Sequence, residues 1–301
     1  MKWGDSMNQK VSVTYTNTLG QSVVISNAGP YKLKSHSGFG VAENEIKTQQ
    51  VYGLDGVQKL YSTIGLRDME VEFFMLSSSF EENVERWKYV SKVFNPKLPG
   101  KLTYKVFDNY YEIDVEVTKG PTEDDGVGAL YHKPVVQFSA LNPYWRDLSE
   151  FSSAVPLNKL KNTFTFPMRI TNHFTFSEMI PGEIIEIDNS GDSIVGGVFT
   201  LSIRSTVVDP KIYNVITQEF FGWKGTYESG DVITLSTEFK KKQTLYTPNG
   251  GTSQNAMGLR MPGSTFLQLD NISPNFIQLQ ATSGLGGVIG TLDFKPVKVG
   301  V

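Results

Sequence analysis

A strand near the midpoint of the chain ends at an Asn-Pro pair, and this stop constrains the fold more than any other feature. Residues 131–138 read as a β-strand, and Pro143 prevents it from continuing because proline has no N–H to donate to a sheet and restricts the residue before it. Two large amphipathic rings follow at once, and residues 148–163 then lack periodicity, which is typical of a connector. The stretch predicts a seam between domains 1–148 and 149–301, and its predicted structural residues are Phe138, Pro143, Tyr144 and Trp145.

The first predicted domain reads as a β-sandwich-like domain that contains one α-helix and a β-hairpin. Turn residues such as Asn17-Thr18-Leu19-Gly20 separate runs of alternating apolar residues. Apolar residues also recur at helical spacing between residues 80 and 94, after a Ser79 that stands three residues before Glu82 and favours a helix start. We expect this helix to pack on the sheet through Trp87 and Phe94.

The second predicted domain reads as a β-sandwich. Short alternating runs recur from residue 183 to residue 281, and Gly-, Asn- or Pro-rich turns separate them. Many short strands at regular spacing favour two packed sheets, and no helical period of any length interrupts them. The predicted fold class is therefore mainly β, with one helix in the first half.

The order of these elements resembles the distal tail proteins of siphophages, which are often called Dit or phage tail family proteins. The resemblance rests on the stretch Phe138-Ser139-Ala140-Leu141-Asn142-Pro143-Tyr144-Trp145-Arg146-Asp147 and on the order of strands and helix before it. In the second half, Ile187-Asp188-Asn189-Ser190-Gly191-Asp192 and Phe266-Leu267-Gln268-Leu269 look like parts of the galectin-like carboxy-terminal domain of that family. Together the two resemblances cover roughly the whole chain.

The resemblance implies a structural virion protein at the tail tip. It implies that the first domain forms a homo-hexameric ring that continues the tail tube, and that DNA passes through the ring channel. The implied partners are the tail tube protein, the tape-measure protein, a tail-associated tip protein and a receptor-binding or baseplate protein. The galectin-like domain would face outward as an adaptor.

Composition excludes several other classes of protein. The 301 residues carry a formal net charge of -3, which argues against nucleic acid or an anionic membrane as the main partner. Cysteine is absent from the sequence, so disulfides and thiolate metal sites are impossible. No apolar run is long enough to span a bilayer, and the first residues do not read as a signal peptide. Synthesis in a bacterial host cytoplasm fits this composition.

Residues for catalysis or metal binding are thinly spread. His36, His132 and His173 lie in separate segments without ligand spacing, and the sequence has no Gly-x-Ser-x-Gly motif. A carboxylate pair for glycoside cleavage remains open at Asp114 with Glu116, or in the acidic loop 123–125. We expect no enzyme activity, no cofactor and no metal.

Two alternatives from other classes stay open at this stage. The second domain could serve as a carbohydrate-binding module or adhesin, with exposed Trp223 or Tyr227 as a stacking platform for a glycan, because Trp223 stands between glycines in a loop-like context. A cell-wall hydrolase is the other alternative, and only the scattered acidic residues support it.

Overall fold

The computed structural model describes residues 11–53, 55–122, 130–148, 154–162 and 177–301. The chain forms two compact units: Met1–Phe151 together with Val297–Val301, and Ser152–Pro296. The main segment of the first unit ends three residues after the predicted domain boundary at 148. The last five residues of the chain also belong to the first unit, which the sequence did not indicate. Within the described ranges, no helix is long and apolar enough to cross a membrane.

Among the residues that the structure describes, eleven strands and one α-helix precede the second unit. They are β1 (Val11–Asn17), β2 (Ser22–Ser26), β3 (Tyr31–Ser37), β4 (Asn44–Gln49), β5 (Gln58–Ile64), β6 (Arg67–Leu76), α1 (Phe80–Val93), β7 (Gly100–Val106), β8 (Asn109–Thr122), β9 (Tyr131–His132), β10 (Val135–Ala140) and β11 (Trp145–Asp147).

The remaining strands follow in chain order, and the last of them belongs to the first unit. They are β12 (Val155–Pro156), β13 (Lys159–Asn162), β14 (Ser177–Ile180), β15 (Ile184–Ile187), β16 (Gly197–Ile203), β17 (Val207–Val208), β18 (Lys211–Asn214), β19 (Phe220–Gly222), β20 (Thr226–Tyr227), β21 (Val232–Ser236), β22 (Gln243–Thr247), β23 (Gln254–Asn255), β24 (Asn275–Gln280), β25 (Val288–Phe294) and β26 (Val297–Lys298). The mainly β fold class with one α-helix is confirmed.

The main sheet of the first unit is strongly curved. Its strands follow the order β2-β1-β7-β8-β10-β6-β3, so that the consecutive strands β2 and β3 lie at opposite ends. Strands about 4.8 Å apart would place the ends of a flat seven-stranded sheet about 29 Å apart. The chain from Ser26 to Tyr31 spans at most about 18 Å, even when fully extended. The sheet must therefore curl until its two ends approach each other.

The interior of this curved sheet is filled by aromatic and aliphatic side chains. Phe94 follows the helix α1 and stacks on Tyr15 of β1 with ring centroids 4.9 Å apart, and it also contacts Phe138 of β10. The helix begins as predicted, because the Ser79 side chain accepts a hydrogen bond from the Glu82 backbone N–H. The prediction of a single helix that packs on the sheet is confirmed.

Several predicted strands differ from the structure at turns. The strand predicted over residues 131–138 is broken at Pro134 into β9 and β10, because proline cannot donate to the ladder. Residues 212–221, one of the alternating runs predicted in the second half, form two strands, joined by a turn in which the Asn214 side chain accepts from the Ile216 backbone N–H. Residues 265–270, another of these runs, form no strand, and only Leu269 makes a bridge, with Val195. Strands β3 and β25 are among the strands that were not predicted.

The second unit is built around two sheets. A six-stranded sheet has the order β12-β25-β16-β21-β22-β23, and a four-stranded sheet has the order β15-β24-β18-β19. The two sheets approach closely at Gly290 of β25, where an added Cβ would lie 2.7 Å from Cδ1 of Leu279 on β24. Glycine therefore lets the sheets pack face to face, which is the arrangement of a β-sandwich.

A buried arginine ties three backbone segments of the first unit together. Arg67 at the start of β6 is only 2% exposed, and its guanidinium donates to the carbonyl oxygens of Pro143 at 2.7 Å, Gly38 at 2.8 Å and Val299 at 2.5 Å, and to that of Gly40. Burial lowers the pKa of Arg67, but an arginine stays protonated in proteins. The planar fork of donors thus joins the end of β10, the loop before β4 and the returning strand β26.

The returning strand also pairs directly with β11. Trp145 is paired with Lys298 and Arg146 with Val297, and the Val301 backbone N–H donates to the Phe39 carbonyl oxygen at 3.0 Å. Trp145 lies in the core of this unit, where its ring is 5.2 Å from that of Phe39. The sheet of the first unit is therefore completed by residues far along the chain.

We expect replacement of Arg67 by methionine to destabilise the first unit strongly. Methionine keeps the length of the side chain but leaves buried carbonyl groups without donors, each at a cost of about 1–3 kcal/mol. The expected loss in free energy of unfolding, measured by urea denaturation, is about 3–5 kcal/mol. Arg86→Met is the matched control, since Arg86 is partly exposed, donates to the Leu76 carbonyl oxygen and pairs with Glu82 on the helix surface, where such pairs contribute about 0–1 kcal/mol. Equal losses in the two variants would contradict this role of Arg67.

We expect the stability of the first unit to depend on pH through the ionisation of Glu72 on β6. Hydrogen bonds from Lys34, and also from Lys133 and Ser35, lower the pKa of Glu72 from 4.5 to about 2. Because the folded-state pKa is depressed, the stabilisation is present above pH 4.5 and is lost as the pH falls towards about 2. The difference in thermal midpoint between the wild type and Glu72→Gln should therefore shrink over this interval.

The matched control for this pH dependence is Glu116→Gln, on an exposed position of β8, which β10 separates from β6 in the same sheet. The thermal midpoint of Glu116→Gln should stay closer to that of the wild type than the thermal midpoint of Glu72→Gln does, at neutral pH and above. A difference between wild type and Glu72→Gln that is constant from neutral to acid pH would show that Glu72 is not held by these bonds.

Candidate functional site

The most exposed regular structure of the first unit is a two-stranded arm. Strands β4 and β5 pair with each other from Asn44 opposite Ile64 to Gln49 opposite Gln58, and they pair with no other described strand. Nearly all of their residues are exposed. An isolated hairpin of this kind is marginally stable in water, so the arm gains stability when another surface covers it.

Apolar side chains cover both faces of the arm. Ile46 is opposite Ser62, and Leu60, two residues earlier on β5, lies at the register shift between the pairs Lys47–Tyr61 and Thr48–Lys59. Tyr61 lies on the face opposite to Ile46, and the side chains of Ile46, Leu60 and Tyr61 are each more than half exposed. Near the turn, Tyr52 is fully exposed. Exposed apolar side chains grouped in this way mark a site of association with another protein surface.

A groove of about 660 Å³ lies at the root of the arm. It is lined by Val41 and Ala42 before β4, by Asn44 at the start of β4, by the last three residues of β5, and by Tyr144. Val41 is 77% exposed, and the Ser62 hydroxyl donates to the Asn44 side chain at 2.6 Å. Exposed apolar side chains therefore occur at the root as well as along the arm.

The arginine described above fixes this root. Gly40, which accepts from Arg67, directly precedes Val41, and Pro143, which also accepts, directly precedes Tyr144. Two segments that line the groove are thus hydrogen-bonded to the same buried guanidinium group. Hydrogen bonds from a charged donor are stronger than those between neutral groups, so these bonds hold the root of the arm in place.

The predicted seam residues all lie in or beside the core of the first unit. Phe138 and Trp145 are buried there, Pro143 binds Arg67 through its carbonyl, and Tyr144 lines the groove. Their predicted role in fixing one domain to the other stays a prediction.

Of the two residues predicted to anchor the helix, Phe94 is fully buried in the core and Trp87 is half-buried against it. The Trp87 ring also lies 4.9 Å from that of His132, whose Nε2 is 2.7 Å from Nδ2 of Asn83. The contact with His132 was not foreseen, and the anchoring role of Trp87 and Phe94 stays a prediction.

The proposed glycan platform at Trp223 and Tyr227 is wrong in its geometry. Trp223 is 0% exposed and donates from Nε1 to the Thr244 hydroxyl at 2.8 Å, while Tyr227 is 3% exposed and donates to the Lys224 carbonyl at 3.2 Å. Both rings lie in the sandwich core and cannot stack on a sugar. The glycines around Trp223 made it look like a loop residue, but they let the chain pack tightly beside it.

The sequence candidates for chemistry do not converge. Asp114 forms a bidentate ion pair with Arg146, and His36 packs between the rings of Phe39 and Tyr104, where burial lowers its pKa. His173 and the acidic loop 123–125 lie outside the described residues. Within the described part of the chain, no three metal-ligating side chains come together.

Comparison with known proteins connects this architecture to phage tails. Residues 19–128 match the family model described as phage tail protein RIFT-related domain. No curated protein matches the sequence.

Three solved structures resemble the chain over almost its whole length. The structure of SPP1 Dit, described as a paradigm of the hub adsorption apparatus in phages that infect Gram-positive bacteria, matches with a TM-score of 0.66 and 12% identity, over 95% of this chain and 98% of that chain. A chain of the activated phage P2 baseplate with Ca matches with a TM-score of 0.58 and 13% identity, over 97% and 99%. A chain of the activated phage P2 baseplate with Sr matches with a TM-score of 0.51 and 13% identity, over 90% of this chain and 98% of that chain.

At these identities the solved structures establish the fold, and the family model gives the similarity of residues 19–128 to phage tail proteins. The resemblance to siphophage distal tail proteins that the sequence predicted is confirmed. The chain has the fold of SPP1 Dit, and residues 19–128 match the phage tail protein RIFT-related domain.

Proposed function

We propose that this protein is the distal hub of a siphophage tail, and that six copies form a ring that joins the tail tube to the tail tip or baseplate. The arm formed by β4 and β5 is the observation that carries the proposal. The arm exposes apolar side chains to water, and a second copy of the first unit could bury them at every subunit boundary. When each copy covers its neighbour in the same head-to-tail manner, the contact is repeated around an axis and closes a ring.

The ring assigns different tasks to the two parts of the chain. Residues 1–148 form the ring and surround a channel through which DNA passes, while residues 149–301 form a galectin-like sandwich that acts as an adaptor. Above the ring lie the tail tube and tape-measure proteins. Below it lie the tail-associated tip protein and the receptor-binding or baseplate protein. The protein is then a component of the virion tail tip, without enzyme activity or a membrane partner.

The similar structures support this assignment through what is said of them. SPP1 Dit is described as part of a hub adsorption apparatus, and the phage P2 chains belong to a baseplate. The mechanism is geometric, because a ring turns one modest contact into several simultaneous ones. The contacts within such an assembly act at high effective concentration, so the ring holds together without a strong pairwise interface.

The number of copies per particle tests the proposal directly. Native mass spectrometry of the purified full-length protein should show six copies. The double substitution Leu60→Lys with Tyr61→Ser replaces two exposed apolar side chains of the arm by polar ones and should shift the population towards monomers. Since both side chains are more than half exposed in the single chain, circular dichroism should show an unchanged fold.

A matched control comes from the second unit. Ile272 is 88% exposed and lies outside the arm, so Ile272→Lys should leave the number of copies unchanged. A wild-type protein that stays monomeric at all concentrations, or arm variants that assemble like the wild type, would contradict the assignment of the arm as the ring contact.

A further inference from the structure

An open groove of about 630 Å³ lies on the outer face of the four-stranded sheet in the second unit. Gln278 and Gln280 of β24 line it, while Ile277 and Leu279, which alternate with them along the strand, are buried in the sandwich. The groove therefore follows a row of polar side chains, and its volume is that of clefts that hold ligands.

Two lysine side chains give this groove positive charge. Lys211 of β18 and Lys224, shortly after β19, both line it. Neither of them forms an ion pair with any described residue, and Nζ of Lys211 lies 5.6 Å from the centroid of the Phe220 ring. Both ammonium groups therefore remain available to a negatively charged ligand.

Asp209 is the one acidic residue among the described residues that line the groove. Its Oδ1 accepts a hydrogen bond from the Gly225 backbone N–H at 2.8 Å, and its Oδ2 accepts from the Thr282 hydroxyl at 3.4 Å. This carboxylate is thus held by groups of the second unit itself. The described lining side chains carry a net positive charge, which an anionic ligand complements.

The two glutamine amides are ordered before any ligand binds. Nε2 of Gln280 donates to Oε1 of Gln278 at 2.6 Å, and Nε2 of Gln278 donates to the Gly182 carbonyl oxygen at 2.6 Å. Each amide nitrogen carries a second N–H, and each amide oxygen has two lone pairs, so the pair can donate to a ligand and accept from it. A peptide backbone presents the same two kinds of group, and amides ordered in advance lose little conformational entropy when it binds.

An apolar wall flanks this polar row. Phe220 of β19 lines the groove with its ring partly exposed, and Met261 lines it beside the same strand, where the Met261 backbone N–H donates to the Gly222 carbonyl oxygen at 2.9 Å. Glycine at position 222 permits this approach, because an added Cβ would lie 2.7 Å from the Met261 sulfur. The wall can therefore cover an apolar side chain close to the Lys211 ammonium group.

We propose that this groove binds an acidic peptide segment of a partner protein. A carboxylate side chain of the peptide pairs with Lys211 and Lys224, and such charge-assisted hydrogen bonds are stronger than those between neutral groups. A neighbouring apolar side chain packs on Phe220, and the glutamine amides pair with the peptide backbone. A neutral peptide leaves both ammonium groups without a counter-charge, and a small inorganic anion leaves the apolar wall uncovered. The inference depends on the groove alone and not on ring formation.

Fluorescence anisotropy of a fluorescein-labelled peptide of alternating glutamate and leucine residues tests the proposal on the full-length protein. The matched peptide has glutamine in place of every glutamate. We expect the glutamate peptide to bind at least about tenfold more tightly than the glutamine peptide, because the latter makes no charge-assisted bonds to the lysines. Since the charges are partly exposed, added salt should also weaken the binding of the glutamate peptide.

Two substitutions place the peptide in the groove. Lys211→Met removes a charge at similar side-chain length, and Phe220→Ala removes the apolar wall, so each should weaken binding of the glutamate peptide about tenfold. Lys241→Met is the matched control, because Lys241 is an exposed lysine of the same unit that does not line the groove. It should bind the peptide as the wild type does, and thermal midpoints should show that all three variants are folded.

Four results would overturn the proposal. They are no binding of either peptide at millimolar concentration, equal binding of the glutamate and glutamine peptides, unchanged binding in both Lys211→Met and Phe220→Ala, and displacement of the peptide by an equal concentration of inorganic phosphate. None of these results bears on the number of copies per particle, so the proposal fails or holds independently of the ring.

Discussion

The first unit depends on one buried cation that holds backbone segments from distant parts of the chain. Arg67 binds carbonyl groups before β4, after β10 and near β26, and these segments are up to 232 residues from it in sequence. A neutral side chain of the same length could not satisfy them, because only a fork of N–H donors reaches several acceptors at once. The curved sheet, the strand that completes it and the root of the arm share this attachment.

A rigid root beneath an exposed arm suits a protein that assembles. The arm carries apolar groups on both faces, yet its base is fixed by Arg67 through Gly40 and Pro143. A contact surface that is already in position loses less entropy on association than a flexible one. The sandwich of the second unit is different, since its large aromatic rings Trp223 and Tyr227 are buried and its ordered polar groups lie in an outer groove. The two units therefore present different chemistry to their surroundings.

The sequence predicted the features that are encoded locally. The start of the helix at Ser79, the turn at Gly20 and the alternation in β6 and β16 each depend on neighbouring residues, and the structure contains all of them. Phe94 was predicted to anchor the helix because helical spacing places it at the end of the apolar stripe.

Features that depend on distant contacts could not be predicted in this way. Nothing near Arg67 in the sequence shows that its partners are backbone carbonyls, and nothing in Val297–Val301 shows that these residues return to the first unit. Trp223 was misassigned for the same reason, since its partner Thr244 lies 21 residues away and its glycine neighbours resemble a loop. The groove at Phe220 was missed because Gln278 and Gln280 carry no signal until β24 and β18 are paired.

Amide hydrogen exchange in a chain that ends at Pro296 tests most directly whether the returning strand completes the first unit. Without residues 297–301, Arg67 loses one acceptor and β11 loses its partner β26. The account predicts that protection falls at β11 and at the loop 38–40, while the strands of the second unit, such as β16 and β21, keep theirs. Unchanged protection at β11 and in this loop would contradict it.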